Sequence, residues 1–269
     1  VPELPEVEHA AGILRVVALG RAIVRLRLLH PSFRRQLTRR AVEQLRGETI
    51  AGIDRRGKYQ LLRLWSGRTL VVHFRMTGDW AVCETGSPLP RHARAALELD
   101  NGTSLVLVDS RALGALTLVD AGLDPTPSLG PEATSTAFNA RRLAASLARR
   151  HGPIKPVLLD QSIVAGIGNI YASEALWYAR VDPRARASSL GPRAIQTLVR
   201  GAKRALRRAL AHPKRYYASA SAQRFNVYDR EGAPCRRCGG QGVIRRVVQA
   251  GRSTYFCPGC QGTGERVSR

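Results

Sequence analysis

Two Cys-x2-Cys pairs, Cys235/Cys238 and Cys257/Cys260, stand eighteen residues apart near the end of this 269-residue chain. That spacing lets two knuckles close on one tetrahedral Zn2+ while the intervening chain doubles back as a hairpin. Residues 243–249 and 253–256 would supply its strands and Ala250-Gly251-Arg252 its tip. A glycine suits the tight turn, and an arginine there projects from a rigid mount. The ion could be a staple alone, or it could hold a finger that touches a partner. A redox role would need both pairs to be redox-active by coincidence. The fifth cysteine, Cys83, sits alone in a strand-like stretch and reads as buried packing. Clustering of this kind, with no charged-then-apolar leader, points to metal ligation rather than a disulfide framework.

Lys and Arg number 43 against 20 Asp and Glu, a formal charge of +23. So large an excess attracts polyanions, and nucleic acid is the leading partner. An acidic membrane surface is the rival, but the chain has no run of about 18 apolar residues. The expectation is a soluble, cytoplasmic protein without a membrane association. Arginine dominates the basic set, as a GC-rich genome would produce, and the lysines are Lys58, Lys155, Lys203 and Lys214. Their scarcity makes Lys58 and Lys155 conspicuous.

The chain changes character along its length. Pro5 and the apolar face of Val7, Ala11, Leu14 and Val17 predict a helix over about 5–18. Short alternating stretches follow at 22–28, 49–53, 59–64, 69–74, 95–99, 104–108 and 115–119, many separated by turn residues. They predict a β-sandwich or barrel of roughly eight strands. The Pro-, Gly-, Ser- and Thr-rich 121–132 reads as a linker, after a first domain of 1–120. Helical patterns then cover about 137–149, 154–161, 168–179 and 191–211 within a second domain of 133–223. The last helix carries an apolar stripe through Ile195, Leu198, Val199, Ala202, Leu206 and Leu210, and its arginines suit a solvated face as well as a nucleic-acid contact. A strand-like 224–228 leads into the cysteine hairpin, making 224–269 the final module. The fold class is therefore α+β: an N-terminal β-sandwich with a flanking helix, a helical domain, and a zinc-finger β-hairpin.

The chemistry concentrates at the start. Pro2-Glu3-Leu4-Pro5-Glu6-Val7-Glu8 places a proline and carboxylates within one turn. A terminal proline amine, with a pKa near the α-amino range of about 8, is partly unprotonated at neutral pH and can attack a sugar C1′. Glu3 and Glu6 also suit a helix dipole, and Lys58 a surface position. The assembled motifs decide between these readings. The 2–8 segment, Arg56-Gly57-Lys58-Tyr59, His73-Phe74-Arg75-Met76-Thr77-Gly78, Ile154-Lys155-Pro156, Gly166–Glu174 and the four cysteines appear in the order found in the formamidopyrimidine-DNA glycosylase and endonuclease VIII family, and the chain resembles above all its bacterial formamidopyrimidine branch.

The resemblance implies a bifunctional DNA glycosylase and AP lyase of base excision repair, acting on oxidised bases in duplex DNA. It implies a helix-two-turn-helix module at 133–223 and one structural Zn2+ on Cys235, Cys238, Cys257 and Cys260. Pro2 would attack C1′, Glu3 would protonate the sugar ring oxygen, Glu6 would position water or protons, and Lys58 would contact phosphate and assist β,δ-elimination. His92, Arg111, Lys155, Asn169 and Arg252 would bind DNA, while Met76, Arg111 and Leu113 would fill the space left by a flipped base. The implied protein is a monomer of the bacterial cytoplasm, nucleoid-associated when bound to damaged DNA. The different-class alternative is a zinc-containing damaged-DNA-binding protein without catalysis.

Three departures qualify the match. Val1 precedes the proline, which a GTG start codon read as valine would explain; otherwise the Val1 amine takes the nucleophile's place. Leu113 stands where the branch uses an aromatic wedge, in Asp109-Ser110-Arg111-Ala112-Leu113-Gly114. Tyr216–Gln223 replaces a longer lid over flipped 8-oxoguanine, leaving ring-opened purines and oxidised pyrimidines as comparable substrates.

Overall fold

In a computed structural model, the described residues are 2–211, 225–239 and 242–262. Val1 and the 216–223 segment lie outside them. The chain divides into two compact units between Pro127 and Ser128.

The first unit opens with helix α1 (Leu4–Ala18), one residue earlier than Pro5 suggested, with Pro5 in the first turn where its missing N–H has no helical partner to lose. Eight strands follow: β1 (Ile23–Leu28), β2 (Ile50–Arg56), β3 (Tyr59–Leu64), β4 (Thr69–His73), β5 (Gly78–Glu84), β6 (Ala93–Leu99), β7 (Thr103–Asp109) and β8 (Ala115–Val119). They form two antiparallel four-stranded sheets, ordered β1-β6-β7-β5 and β2-β3-β4-β8. Alternation puts Leu62, Leu70 and Val72 of one sheet and Leu97, Leu105 and Leu107 of the other into one core, which α1 joins through Val7, Ala11 and Leu14.

Two features were absent from the sequence reading. β5 is an edge strand, and β1 leads into two short helices, α2 (Pro31–Arg34) and α3 (Arg39–Glu43). Helices of four and five residues are too short to show a period.

The second unit holds α4 (Ala140–Leu147), α5 (Ile154–Leu158), α6 (Asn169–Ala179) and α7 (Pro192–Leu210), each within the span its sequence pattern indicated. α6 is buried along most of its length, and α7 packs against it at Gly201, where a Cβ would fall 2.7 Å from the Ala175 carbonyl oxygen. A glycine there lets the backbones approach. Strands β9 (Arg245–Gln249) and β10 (Arg252–Phe256) pair as the expected hairpin, turning through Ala250 at φ +47° and Gly251 at φ +71°.

Two expectations fail. Cys83, read as buried packing, is only half-buried, on the edge strand β5. Residues 225–228 form no strand but a bend around the buried Glu174 carboxylate, which accepts the backbone N–H groups of Asn226, Val227 and Tyr228 at 2.8–3.1 Å. The ladder partners a strand needs are replaced by a side chain from α6.

Candidate functional site

Pro2, Glu3, Glu6, Lys58, Met76, His92, Arg111 and Leu113 lie in the first unit; Lys155, Asn169, Arg252 and the four cysteines lie in the second.

At the start of α1, Glu3 is the N-cap and is 1% exposed. Its N–H donates to Glu6 Oε2 at 2.9 Å, and the Glu3 side chain completes the reciprocal capping box. The two carboxyl groups therefore fix the backbone direction at Pro2. One turn later, Glu8 accepts from Arg15 at 2.7 Å and Arg55 at 2.6 Å. Burial opposes ionisation of Glu8, but the two guanidinium groups outweigh it and hold its pKa below the usual carboxylate range. Arg15 Nε also donates to Ile53 O at 2.8 Å, so α1 is pinned to β2.

β2 and β3 meet at a two-residue turn in which Gly57 adopts φ +58° and Lys58 occupies the tip. Arg55 Nη1 reaches Gly57 O at 3.1 Å, so the residue that braces α1 also braces this turn. His73 pairs with Tyr59 in the ladder and meets its ring edge-on. Burial, with Arg75 and Lys58 nearby, holds the His73 pKa down to about 4. The imidazole is neutral at pH 7, and its Nδ1 accepts the Arg75 N–H at 2.9 Å.

The loop before β5 and the loop after β7 converge on Asp109. This carboxylate accepts the N–H groups of Arg111 at 3.1 Å and of Leu113 and Gly114 at 2.7 Å, together with the Thr77 hydroxyl. Burial raises the Asp109 pKa, but these donors prevail and leave it below the ordinary value. Thr77 also receives the Arg111 N–H, tying the Met76 loop to the Arg111–Leu113 loop. Met76 is 39% and Leu113 46% exposed, as apolar side chains available to a partner are. His92 has φ +64°, and its carbonyl accepts the Asp109 N–H at 3.0 Å. Arg94 then donates to Asp109 O at 2.6 Å.

In the second unit Lys155 is 1% exposed. Its ammonium donates to Asn169 Oδ1 at 2.5 Å, Thr254 Oγ1 at 2.8 Å and Ser253 O at 3.1 Å. Asn169, the first residue of α6, donates from Nδ2 to Ser253 O at 3.0 Å. Lys155 thus ties α5, the N-terminus of α6 and β10 together, beside the exposed Arg252 at the hairpin tip.

The four cysteines bring their sulfur atoms within 4.8 Å of one another, with Cys235–Cys260 at 3.9 Å and Cys238–Cys257 at 3.6 Å. A tetrahedron with Zn–S bonds of about 2.3 Å has S···S edges of about 3.8 Å, so the set fits one Zn2+. A Cβ on Gly242 would fall 2.6 Å from Cys257 Sγ, so only glycine leaves the knuckle room. Trp177 Nε1 lies 3.5 Å from Cys235 Sγ, and the Arg237 guanidinium covers the Trp177 ring at 3.8 Å. These cysteines hold one structural zinc ion, with Trp177 orienting a ligand from outside.

Sequence reasoning passed over Asp109 as an organiser, His73 as a neutral imidazole, and Glu174 as the anchor of 225–228. All three stood inside recognised stretches. Their roles depend on partners that no spacing reveals.

The chain matches three family models: the formamidopyrimidine-DNA glycosylase N-terminal domain over residues 1–116, the formamidopyrimidine-DNA glycosylase H2TH domain over 129–220, and the zinc finger found in FPG and IleRS over 232–262. It is 42% identical to a formamidopyrimidine-DNA glycosylase of Phenylobacterium zucineum, over 97% of this chain and 100% of that one. A second relative, from Chloroflexus aurantiacus, is 41% identical over 97% and 98%. Among solved structures, Lactococcus lactis Fpg bound to DNA containing an abasic site superposes with a TM-score of 0.89 at 30% identity, covering 97% of this chain and 100% of that one. A MutM complex with DNA carrying carbocyclic 8-oxo-G gives the same TM-score, identity and coverage.

Proposed function

The chain belongs to the formamidopyrimidine-DNA glycosylase family, and on that footing we propose that it removes oxidised or ring-opened bases from duplex DNA and then cleaves the strand through its N-terminal amine. The observation that carries this reading is the start of α1. The buried Glu3 and its Glu6 partner hold Pro2 at the mouth of a helix, beside a carboxyl group able to deliver a proton.

Attack by the Pro2 nitrogen on C1′ forms a C–N bond. Glu3 protonates the sugar ring oxygen as the ring opens, and the base leaves with the glycosidic electron pair. The resulting iminium acidifies the 2′ protons, so loss of one expels the 3′ phosphate and a second elimination expels the 5′ phosphate. Lys58, at the braced turn, contacts phosphate and assists these steps. The reaction needs an amine rather than an amide at Pro2, and therefore removal of Val1. Relatives captured with Fapy-dG and 8-oxo-G DNA support ring-opened and oxidised purines as the substrates.

On the DNA side, Arg111 faces the orphaned base while Met76 and Leu113 occupy the vacated stack. His92, Asn169, Arg252 and Lys155 hold flanking phosphates, Lys155 by fixing Asn169 and the hairpin. Borohydride trapping on duplex DNA with a single abasic site tests the proposal. The expected product is a covalent adduct whose N-terminal peptide carries the sugar on Pro2. An active preparation giving no adduct, or an adduct elsewhere, overturns it.

A further inference from the structure

The loop from Asp109 to Gly114 is held from a second side. Ser32, in α2, donates from Oγ to Ala112 O at 3.1 Å. Gln36 donates from Nε2 to Gly114 O at 3.0 Å and accepts the Leu116 N–H on Oε1 at 2.7 Å. Its carboxamide thereby fills the place of a neighbouring strand's peptide group at the entrance to β8. Between them lies the fully buried Phe33, whose ring would sit 3.2 Å from a Cβ placed on Gly114. The loop is thus clasped by Asp109 within and by residues 32–36 on its flank.

The clasp has work to do because the loop is not a relaxed one. Ala112 adopts φ +52°, a conformation that an alanine holds only when its surroundings dictate it. Arg111 and Leu113 flank it, so any relaxation at Ala112 swings both side chains. Recognition of a base edge by a forked side chain tolerates little displacement, and one such contact discriminates by about five- to a hundredfold.

We propose that Ser32 and Gln36 are positioning residues that set the reach of Arg111 and Leu113, and through them the discrimination of the base opposite the lesion. The inference rests on the proposed role of Arg111. Neither residue takes part in bond making, so the chemistry at Pro2 should be indifferent to them.

Gln36→Ala, Gln36→Glu, which keeps the acceptor for Leu116 but loses the donor to Gly114, and a control, Gln44→Ala, at the C-cap of α3, test this in three measurements. The first is hydrogen exchange of the Leu113 and Gly114 amides, which Asp109 holds at 2.7 Å. The second is kcat/KM on lesion duplexes with cytosine or adenine opposite. The third is borohydride trapping on a single-stranded abasic oligonucleotide, which has no opposite base. In Gln36→Ala, exchange should rise about tenfold and the cytosine-to-adenine ratio should fall about five- to tenfold, within the range of one base contact. Trapping on the single strand should stay within about twofold, and Gln36→Glu should lie between wild type and Gln36→Ala. Unchanged exchange overturns the positioning role. An unchanged ratio, a wild type without opposite-base preference, or parallel losses in both duplexes and the single strand overturn the discrimination role. A wild type that traps no DNA refutes the proposed enzyme function instead, while the exchange measurement still decides whether Gln36 orders the loop.

Discussion

Asp109 shows how much of a loop one carboxylate can carry. Its side chain accepts three backbone N–H groups and a hydroxyl, and Asp109→Ala would remove all four bonds, leaving the Arg111 N–H only its longer contact with Thr77. The expected loss of stability is about 1–3 kcal/mol, read by urea unfolding at pH 7. The folded pKa is depressed, so this stabilisation is complete above the ordinary value of 3.8 and disappears as pH falls through the folded value. The gap between wild type and variant should therefore narrow in acid. His73 has the opposite charge chemistry and an effect in a different window. Its pKa falls from 6.5 to about 4 in the folded chain, so protonation of the unfolded state alone costs stability as pH drops between those values. His73→Gln should flatten that part of the stability profile, and an unchanged slope from pH 6.5 to 4 contradicts the assignment. Neither role was legible in the sequence. Both stood in recognised motifs, but each environment is completed across the fold: Asp109 meets Thr77, 32 positions away, and His73 meets the Tyr59 ring.

Among the elements, α1 and α7 announced themselves because a 3.6-residue period persists over 15 and 19 residues respectively. Strands β3, β4 and β7 were visible from dense apolar runs bounded by turns. α2 and α3 were not, since neither completes two turns, and α2 proves to matter by carrying Ser32 and leading to Gln36. The bend at 225–228 escaped for another reason: Glu174, which dictates it, lies 52 positions from Asn226. Close packing of α6 against α7 makes a direct prediction. Gly201→Val places branched carbon where the Ala175 carbonyl already stands and should destabilise the second unit by about 1–3 kcal/mol. Thermal unfolding within a few degrees of wild type would show that α7 can shift at little cost.

At the scale of the whole molecule, charge and metal govern the partner. A net charge of +23 predicts that affinity for duplex DNA falls steeply as salt rises, and each lost phosphate contact lowers the logarithmic slope by about one. Arg252→Ala should show that decrement, and an unaltered slope removes Arg252 from the phosphate contacts. Removing zinc should act more broadly. β10 carries both Ser253 and Thr254, which receive the Lys155 ammonium, so collapse of the hairpin would release Asn169 as well. A chelator is expected to liberate one equivalent of zinc, measurable with a metal indicator, together with loss of DNA binding; retained binding in the metal-free chain would separate the two.

The Glu8–Arg55 link also orders events in time. Glu8 is synthesised 47 residues before its partner Arg55, so the start of α1 precedes the strand that braces it. A chain interrupted before β2 would carry the proposed nucleophile, Pro2, without the turn that bears Lys58. On the proposed mechanism a chain without β2 should therefore not cut DNA, because it lacks both the Arg55 partner of Glu8 and the turn that bears Lys58.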